Sequence, residues 1–180
     1  MIITIMGKPG SGKSTVGKLI AKELKYDYFS GGDLRGKIAM ERGLTIDELN
    51  KIGETERWTD DECDKLIEKM GKEQNNLVLD SRTAWHFVPK SFKVFLDVDL
   101  KEAAKRVFKD QRPDEEKASS ANELYERMNA RMENDNSRYK KWYKIDYLNL
   151  KNYDLVIDTT KLSPQETVKR ILAEVKKRMN

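Results

Sequence analysis

The sequence predicts an α/β domain: five short parallel strands in one sheet, with helices on both faces. Three observations carry this reading. Short β-branched runs alternate with stretches of helical period along the whole chain. A glycine-rich turn stands between the first such run and the first helical stretch. The length of 180 residues suits one compact unit with a real core, and no repeat, low-complexity tract or interdomain linker interrupts it. Residues 1–180 therefore read as a single domain.

The elements follow in order. Ile2-Ile3-Thr4-Ile5-Met6 is an apolar run that stops at Gly7 and reads as a buried strand. From Ser14 to Lys25, Val16, Leu19, Ile20 and Leu24 recur at helical spacing. Tyr28-Phe29 reads as a short second strand running into Ser30-Gly31-Gly32, and Asp33 to Arg42 as a helix stopped by Gly43. Thr45 with Glu48, and Thr59 with Glu62, have the spacing of capping boxes and predict two further helix starts. Behind the second, Cys63, Leu66, Ile67 and Met70 share a face. Asn76 to Asp80 and Phe92 to Val98 are the next strands, with a helix from about Lys101 to Lys109 after them. Residues 111–120 are polar, contain Pro113, show no apolar period and read as a mobile loop. A long helix from about Asn122 to Tyr143 follows, then a last strand from Asp154 to Asp158. Ser163-Pro164-Gln165-Glu166 joins an N-cap, a first-turn proline and a glutamate at N3. Val168, Ile171, Leu172, Val175 and Met179 then mark an amphipathic final helix.

Composition narrows the class. Charged residues make up 37% and hydrophobic ones 38%, so the core is economical and the surface densely charged. Mean hydropathy is −0.79, and no apolar run approaches the roughly 20 residues of a membrane span. The N-terminus lacks the basic start and long apolar stretch of a signal peptide, so a cytoplasmic protein without a membrane partner is expected. The single cysteine excludes an intramolecular disulfide and a cysteine-cluster metal site. Cys63 reads as packed and His86, the one histidine, as structural. The net charge is +4 and the isoelectric point near 8.9. Lysine and glutamate are interspersed without a long like-charge block, which weighs against a dedicated nucleic-acid face.

The strongest signal is Gly7-Lys8-Pro9-Gly10-Ser11-Gly12-Lys13-Ser14, which matches G-x-x-x-x-G-K-[ST] at every fixed position, after a strand and before a helix. Glycines let backbone N–H groups converge on phosphate oxygens, and the helix N-terminus adds partial positive charge. Lys13 is expected to reach the β- and γ-phosphates, Ser14 to ligate Mg²⁺, and Thr15 to support the phosphate contacts. A nucleoside triphosphate is the predicted ligand. The chemistry stays open at this point, because such loops serve kinases, GTPases and mechanical ATPases. No Asn-Lys-x-Asp guanine reader occurs, and the chain is short for a mechanical ATPase.

Further motifs stand in a set order: Ser30-Gly31-Gly32-Asp33-Leu34-Arg35, Leu79-Asp80-Ser81-Arg82, Arg131-x-x-x-Asp135-x-x-Arg138-Tyr139 and Asn152 to Thr159. With the phosphate loop they make the chain resemble, almost end to end, the P-loop nucleoside monophosphate kinases, and most closely the short archaeal-type cytidylate kinases. The resemblance implies a P-loop kinase fold with acceptor-binding helices at about 30–73 and a small closing lid at about 106–120. It implies Ser30, Arg35 and Arg82 at the acceptor, Asp135 at its ribose, and Asp80 as the carboxylate that holds Mg²⁺ with Ser14. Asp60 and Asp64, four residues apart, resemble an acidic pair of the archaeal enzymes; solvent-facing carboxylates are the other reading. The bacterial enzymes carry Gly-Arg-Asp where this chain has Ser81-Arg82-Thr83, so an acid that helps read cytosine is absent from that position.

The arginines make chemical sense by themselves. Phosphoryl transfer needs two polyanions aligned head to head, and arginine's planar fork suits bidentate phosphate contact. Five of the 11 arginines, Arg106, Arg112, Arg127, Arg131 and Arg138, fall within residues 106–138, less than a fifth of the chain. Lys13, Arg82, Arg131 and Arg138 are the candidates for steadying the transferring charge. The expected function is transfer of the γ-phosphoryl group of ATP, with Mg²⁺, to CMP or dCMP by a monomer acting on small-molecule nucleotides. The alternatives are an AMP or UMP kinase of the same fold, a small-metabolite kinase, and a nucleotide-switched ATPase that binds RNA or another partner.

Overall fold

The computed structural model describes residues 1–111 and 117–179. Strands β1 (Ile2–Gly7), β2 (Asp27–Ser30), β3 (Leu77–Asp80), β4 (Phe92–Asp97) and β5 (Leu155–Asp158) form one sheet in the order β2-β3-β1-β4-β5. Every pairing is parallel. The helices are α1 (Lys13–Leu24), α2 (Gly31–Glu41), α3 (Ile46–Gly53), α4 (Trp58–Glu73), α5 (Ala84–Phe87), α6 (Leu100–Lys109), α7 (Ala121–Tyr143) and α8 (Pro164–Met179). The expected five-stranded parallel sheet is thus present. No described helix is long and apolar enough to cross a membrane.

The central strand is almost wholly apolar because both its faces are covered. Ile3 and Ile5 pack with Val94, Leu96 and Ile157 against Val16 and Ile20 of α1 and Val168, Ile171 and Val175 of α8. On the opposite face Leu77 and Leu79 meet Cys63 and Ile67 of α4, with Ala84 and Val88. Beside them Met6 and Phe95 meet Tyr139, Tyr147 and Tyr153. Each buried large side chain contributes about 1.5–3 kcal/mol of transfer free energy. Thr4 is the polar exception on β1, and its hydroxyl is paired with that of Ser91 at 2.9 Å.

Local signals set several helix starts. Ser30 Oγ accepts from the Asp33 amide at 3.1 Å and caps α2. Thr45 and Glu48 form a reciprocal capping box, as do Ser163 and Glu166. The box expected of Thr59 and Glu62 does not form. The first helical residue is Trp58, and Thr59 is buried inside the first turn with its hydroxyl donating to the Glu56 carbonyl at 3.1 Å. Tertiary contact decides this: a Cβ on Gly53 would stand 2.8 Å from the Thr59 hydroxyl, so that face is where α3 closes on α4. Helix α5 and the 3₁₀ turn Leu150–Asn152 were not legible from pattern, being too short to show a period. Arg112, Pro113 and the middle of the expected loop and lid lie outside the described residues.

Because all strands run parallel, their carboxyl ends share one edge of the sheet, where open α/β sheets bind ligands. Gly7, Ser30, Asp80, Asp97 and Asp158 end the five strands there.

Candidate active site

The loop from Gly7 to Ser14 wraps from the end of β1 into α1. Gly10 and Gly12 have φ of +71° and +86°, which disfavour any side chain. A Cβ on Gly7 would stand 2.3 Å from the Leu96 carbonyl oxygen, and one on Gly10 2.8 Å from Ala103 Cβ. The loop is therefore seated tightly between β4 and α6. Above Gly12 the space is open, with nothing within 4 Å of where a Cβ would lie. Helix α1 has no side-chain cap, so the amides of Lys13, Ser14 and Thr15 face outward as an anion site. Lys13 Nζ donates to the Lys8 carbonyl at 3.0 Å, folding its amine over the loop. Lys8 pairs with Asp97 at 2.6 Å, and the Thr159 hydroxyl lies 3.2 Å from the Ser11 carbonyl oxygen. The cradle is thus tied to β4 and to the end of β5. Pro9 and Ser11 complete it, and the Ser11 side chain is buried.

Ser14 and Asp80 meet at the foot of the cradle. Ser14 Oγ donates to Asp80 Oδ2 at 2.7 Å, and Tyr28 OH donates to the same oxygen at 3.0 Å. Burial, and then the Asp80 charge, push the Tyr28 phenol well above its usual value, so it stays a donor. One hydroxyl and one carboxylate are hard oxygen donors, the set Mg²⁺ takes when polyphosphate and water complete its octahedron. The described residues contain no group of three or more acids, histidines or cysteines that would cage a metal unaided. These residues fit a metal ion that arrives with a nucleotide.

The arginines singled out by sequence converge on two buried aspartates. Arg35 of α2 reaches Asp60 of α4, Nη1 to Oδ1 at 2.5 Å. Arg138 of α7 reaches the other Asp60 oxygen through Nε at 2.9 Å, and Asp135 Oδ1 through Nη2 at 2.8 Å. Arg82, just past β3, reaches Asp135 Oδ2 through Nε at 3.0 Å. Burial opposes ionisation of Asp135, but Arg82, Arg138 and then Arg131 around it hold its carboxyl below the usual range. Asp60 differs: burial raises it despite Arg35 and Arg138. Arg131 lies one turn before Asp135 on the same helix. Arg35, Arg82, Arg131 and Arg138 thus gather around Asp60 and Asp135, guanidinium forks of the kind that binds a phosphate monoester. Of the other arginines in the 106–138 region, Arg127 pairs with Glu123 on its own helix, and Arg106 donates to the carbonyls of Thr159 and Thr160.

Asp64 was legible only as one of an acidic pair. Both members are buried, at 5% exposure for Asp60 and 6% for Asp64, so the solvent-facing reading does not hold. The signal was the helical period: Asp60, Asp64 and Ile67 fall on one face of α4, and Ile67 is fully buried. Asp64 Oδ1 accepts from Thr83 Oγ1 at 2.6 Å, and Oδ2 accepts from Tyr143 OH. Where Ser81-Arg82-Thr83 lacks an acid, α4 thus delivers one to Thr83. Burial raises the Asp64 carboxyl to about 6, with the two hydroxyl donors only partly offsetting it. Cys63 beside it is pushed up to about 12 by burial and is no nucleophile at neutral pH. His86 sits among the rings of Trp85, Phe87 and Tyr143, and burial lowers its pKa, in keeping with a structural role.

Comparison with known proteins fits this geometry. A family model described as the cytidylate kinase-like family matches residues 2–161. The cytidylate kinase of Halobacterium salinarum is 32% identical over 177 residues, covering 97% of this chain and 89% of that protein. An S-adenosylmethionine-dependent nucleotide dehydratase of Lacinutrix mariniflava is 36% identical over 97% of this chain, which spans only 36% of the dehydratase. Among solved structures, shikimate kinase from Bacteroides thetaiotaomicron shares the fold with a TM-score of 0.67 at 16% identity, over 98% of both chains.

Proposed function

The chain belongs to the cytidylate kinase-like family and is a nucleoside monophosphate kinase, and from that premise we propose that it transfers the γ-phosphoryl group of ATP to CMP or dCMP. The products are the nucleoside diphosphate and ADP. The observation that carries this reading is the convergence of Arg35, Arg82 and Arg138 on Asp60 and Asp135, at the same sheet edge as the triphosphate cradle.

The roles follow from the chemistry. The Gly7–Thr15 loop binds the donor phosphates through backbone amides, with Lys13 swinging from the Lys8 carbonyl to the β- and γ-phosphates. Ser14 and Asp80 would hold Mg²⁺, which when bound neutralises charge on the donor phosphates. Arg35 and Arg82, with Arg138 and Arg131 behind them, receive the acceptor phosphate opposite. Its attacking oxygen is already anionic, so no general base is needed, and the protein contributes alignment and charge. Ser30 sets the start of α2 and so the direction of Arg35, and Asp135 aims Arg82 and Arg138. Asp64 and Thr83 offer an acceptor and a hydroxyl to a base edge that carries an amine, as cytosine does and uracil does not.

The test is ADP formation from ATP and Mg²⁺ across CMP, dCMP, UMP, AMP and GMP. Turnover concentrated on CMP or dCMP is expected. Preference for UMP or AMP would overturn the cytosine assignment and leave the phosphate sites intact. Turnover of none would return weight to a small-metabolite kinase, or to an ATPase switched by an RNA partner.

A further inference from the structure

Asp60 is a buried acid that the transfer of phosphate does not itself require. It nevertheless joins three elements through one carboxylate: α4, which carries it, α2 through Arg35 and α7 through Arg138. Each guanidinium has additional anchors. Arg35 donates to Asn50 Oδ1 at 3.2 and 3.1 Å and to the Thr59 carbonyl at 2.6 Å. Arg138 donates to Asn134 Oδ1 at 3.1 Å and to Asp135. Asn50 also touches both, its side chain on Arg35 and its backbone carbonyl 3.5 Å from Arg138 Nη1, but Asp60 is the charged group that the two forks share.

A phosphate monoester offers a guanidinium what a carboxylate offers, anionic oxygens spaced for a planar fork. Asp60 and an acceptor phosphate therefore compete for the same donors. Without a counter-ion, two buried guanidinium groups side by side would repel and hydrate, and an empty pocket would not keep them aimed. A carboxylate in that seat keeps the pocket formed before substrate arrives. We propose that Asp60 is a positioning residue, an internal counter-ion that holds Arg35 and Arg138 at the spacing of one anionic group and yields them to the acceptor phosphate. This rests on the monophosphate-kinase reading of the arginine cluster.

The test combines anion binding with kinetics on the full chain. Asp60→Asn keeps the shape and removes the competing charge. Its affinity for inorganic phosphate, measured by calorimetry, is expected to rise about tenfold, since one nearby negative charge is gone. Its kcat with the preferred monophosphate is expected to fall about 100-fold through misaligned arginines, with KM for ATP unchanged. A merely structural ion pair would not tighten phosphate binding, so unchanged or weaker phosphate affinity in the folded variant overturns the proposal. Should Asp60→Asn fail to fold, Asp60→Glu decides: the charge is kept, and kcat must fall while the thermal midpoint and phosphate affinity stay near wild type. Unchanged kcat in that variant overturns the proposal too. A wild-type protein inactive on all five monophosphates would instead remove the kinase reading beneath it.

Discussion

Ser14 Oγ donates to Asp80 Oδ2 at 2.7 Å, although 66 residues separate the two in sequence. The sheet makes the meeting unavoidable. Ile5 is in register with Asp80 across the β1–β3 ladder, so the end of β3 lies alongside the strand that feeds the phosphate loop. The first turn of α1 then carries Ser14 over the acid. A loop motif and a strand-end carboxylate, each ambiguous alone, become one oxygen site.

Removing the acid is expected to act on metal use first, and removing the loop lysine on turnover itself. Asp80→Asn should raise the Mg²⁺ concentration for half-maximal ADP formation and lower kcat by about 100-fold, as loss of a preorganised charge contact does. Lys13→Met should abolish turnover while changing stability by no more than ~1 kcal/mol, because its amine is only partly buried. A Mg²⁺ titration of ADP formation, with urea melts of both variants, checks this. Near-normal turnover by Lys13→Met would remove the role given to that lysine.

Gly10→Ala is expected to damage donor binding from the backbone side. The residue sits at φ +71°, and an added Cβ would press on Ala103 Cβ at 2.8 Å. Either α6 moves away or the loop distorts, at a cost of about 1–3 kcal/mol. ATP affinity by calorimetry should fall, while affinity for the monophosphate holds. An ATP affinity equal to wild type would show that the loop accommodates the methyl group.

The phosphate loop and the caps at Thr45 and Ser163 were readable because their logic is local: a few adjacent residues satisfy one another's hydrogen bonds. Arg138 was flagged by arginine clustering and Arg82 by its place at a strand end, but the roles of Arg35 and Asp135 came only through family resemblance, since no spacing says that three helices and a strand end will converge. Thr59 shows the opposite failure. Its capping-box spacing was correct and irrelevant, because closure of α3 on α4 claimed the side chain. Asp60 and Asp64 were half-legible. Their period placed them with Ile67 on one face, but burying two carboxylates makes sense only once the distant Arg138, Thr83 and Tyr143 are in view.

Asp135→Asn tests the keystone of the arginine cluster. Its side chain is 1% exposed and its two oxygens face Arg82 and Arg138. Loss of that charge leaves two cations without their shared partner, which is expected to cost about 3–5 kcal/mol. The pH dependence has a definite sign. The carboxyl is held below its usual range, so its contribution is present above the unfolded value of about 3.9 and fades as pH falls through the lower folded value. Urea melts at neutral pH should show the full difference between wild type and variant, narrowing toward acid. A difference independent of pH would mean that shape, not charge, is what Asp135 supplies.

Asp64 has the opposite sign, and its proposed contact with the base would tie stability to base choice. Its folded value is raised to about 6 by burial. Between the unfolded value of about 3.9 and that point, the folded chain keeps a proton the unfolded chain has lost. Stability from this group is therefore complete below about pH 4 and lost as pH rises through 6, by an amount on the order of 3 kcal/mol. Asp64→Asn resembles the protonated form and is expected to be progressively more stable than wild type across that window, then offset by a constant amount above it. In turnover the same substitution should cost 10- to 100-fold, roughly, in kcat/KM for CMP, the loss of a charge-assisted bond to the base amine. UMP, which lacks that amine, should lose much less, so the CMP-to-UMP ratio is the quantity to measure. A ratio unchanged by Asp64→Asn would leave this carboxylate as a support for Thr83 and Tyr143 and place the base contact elsewhere.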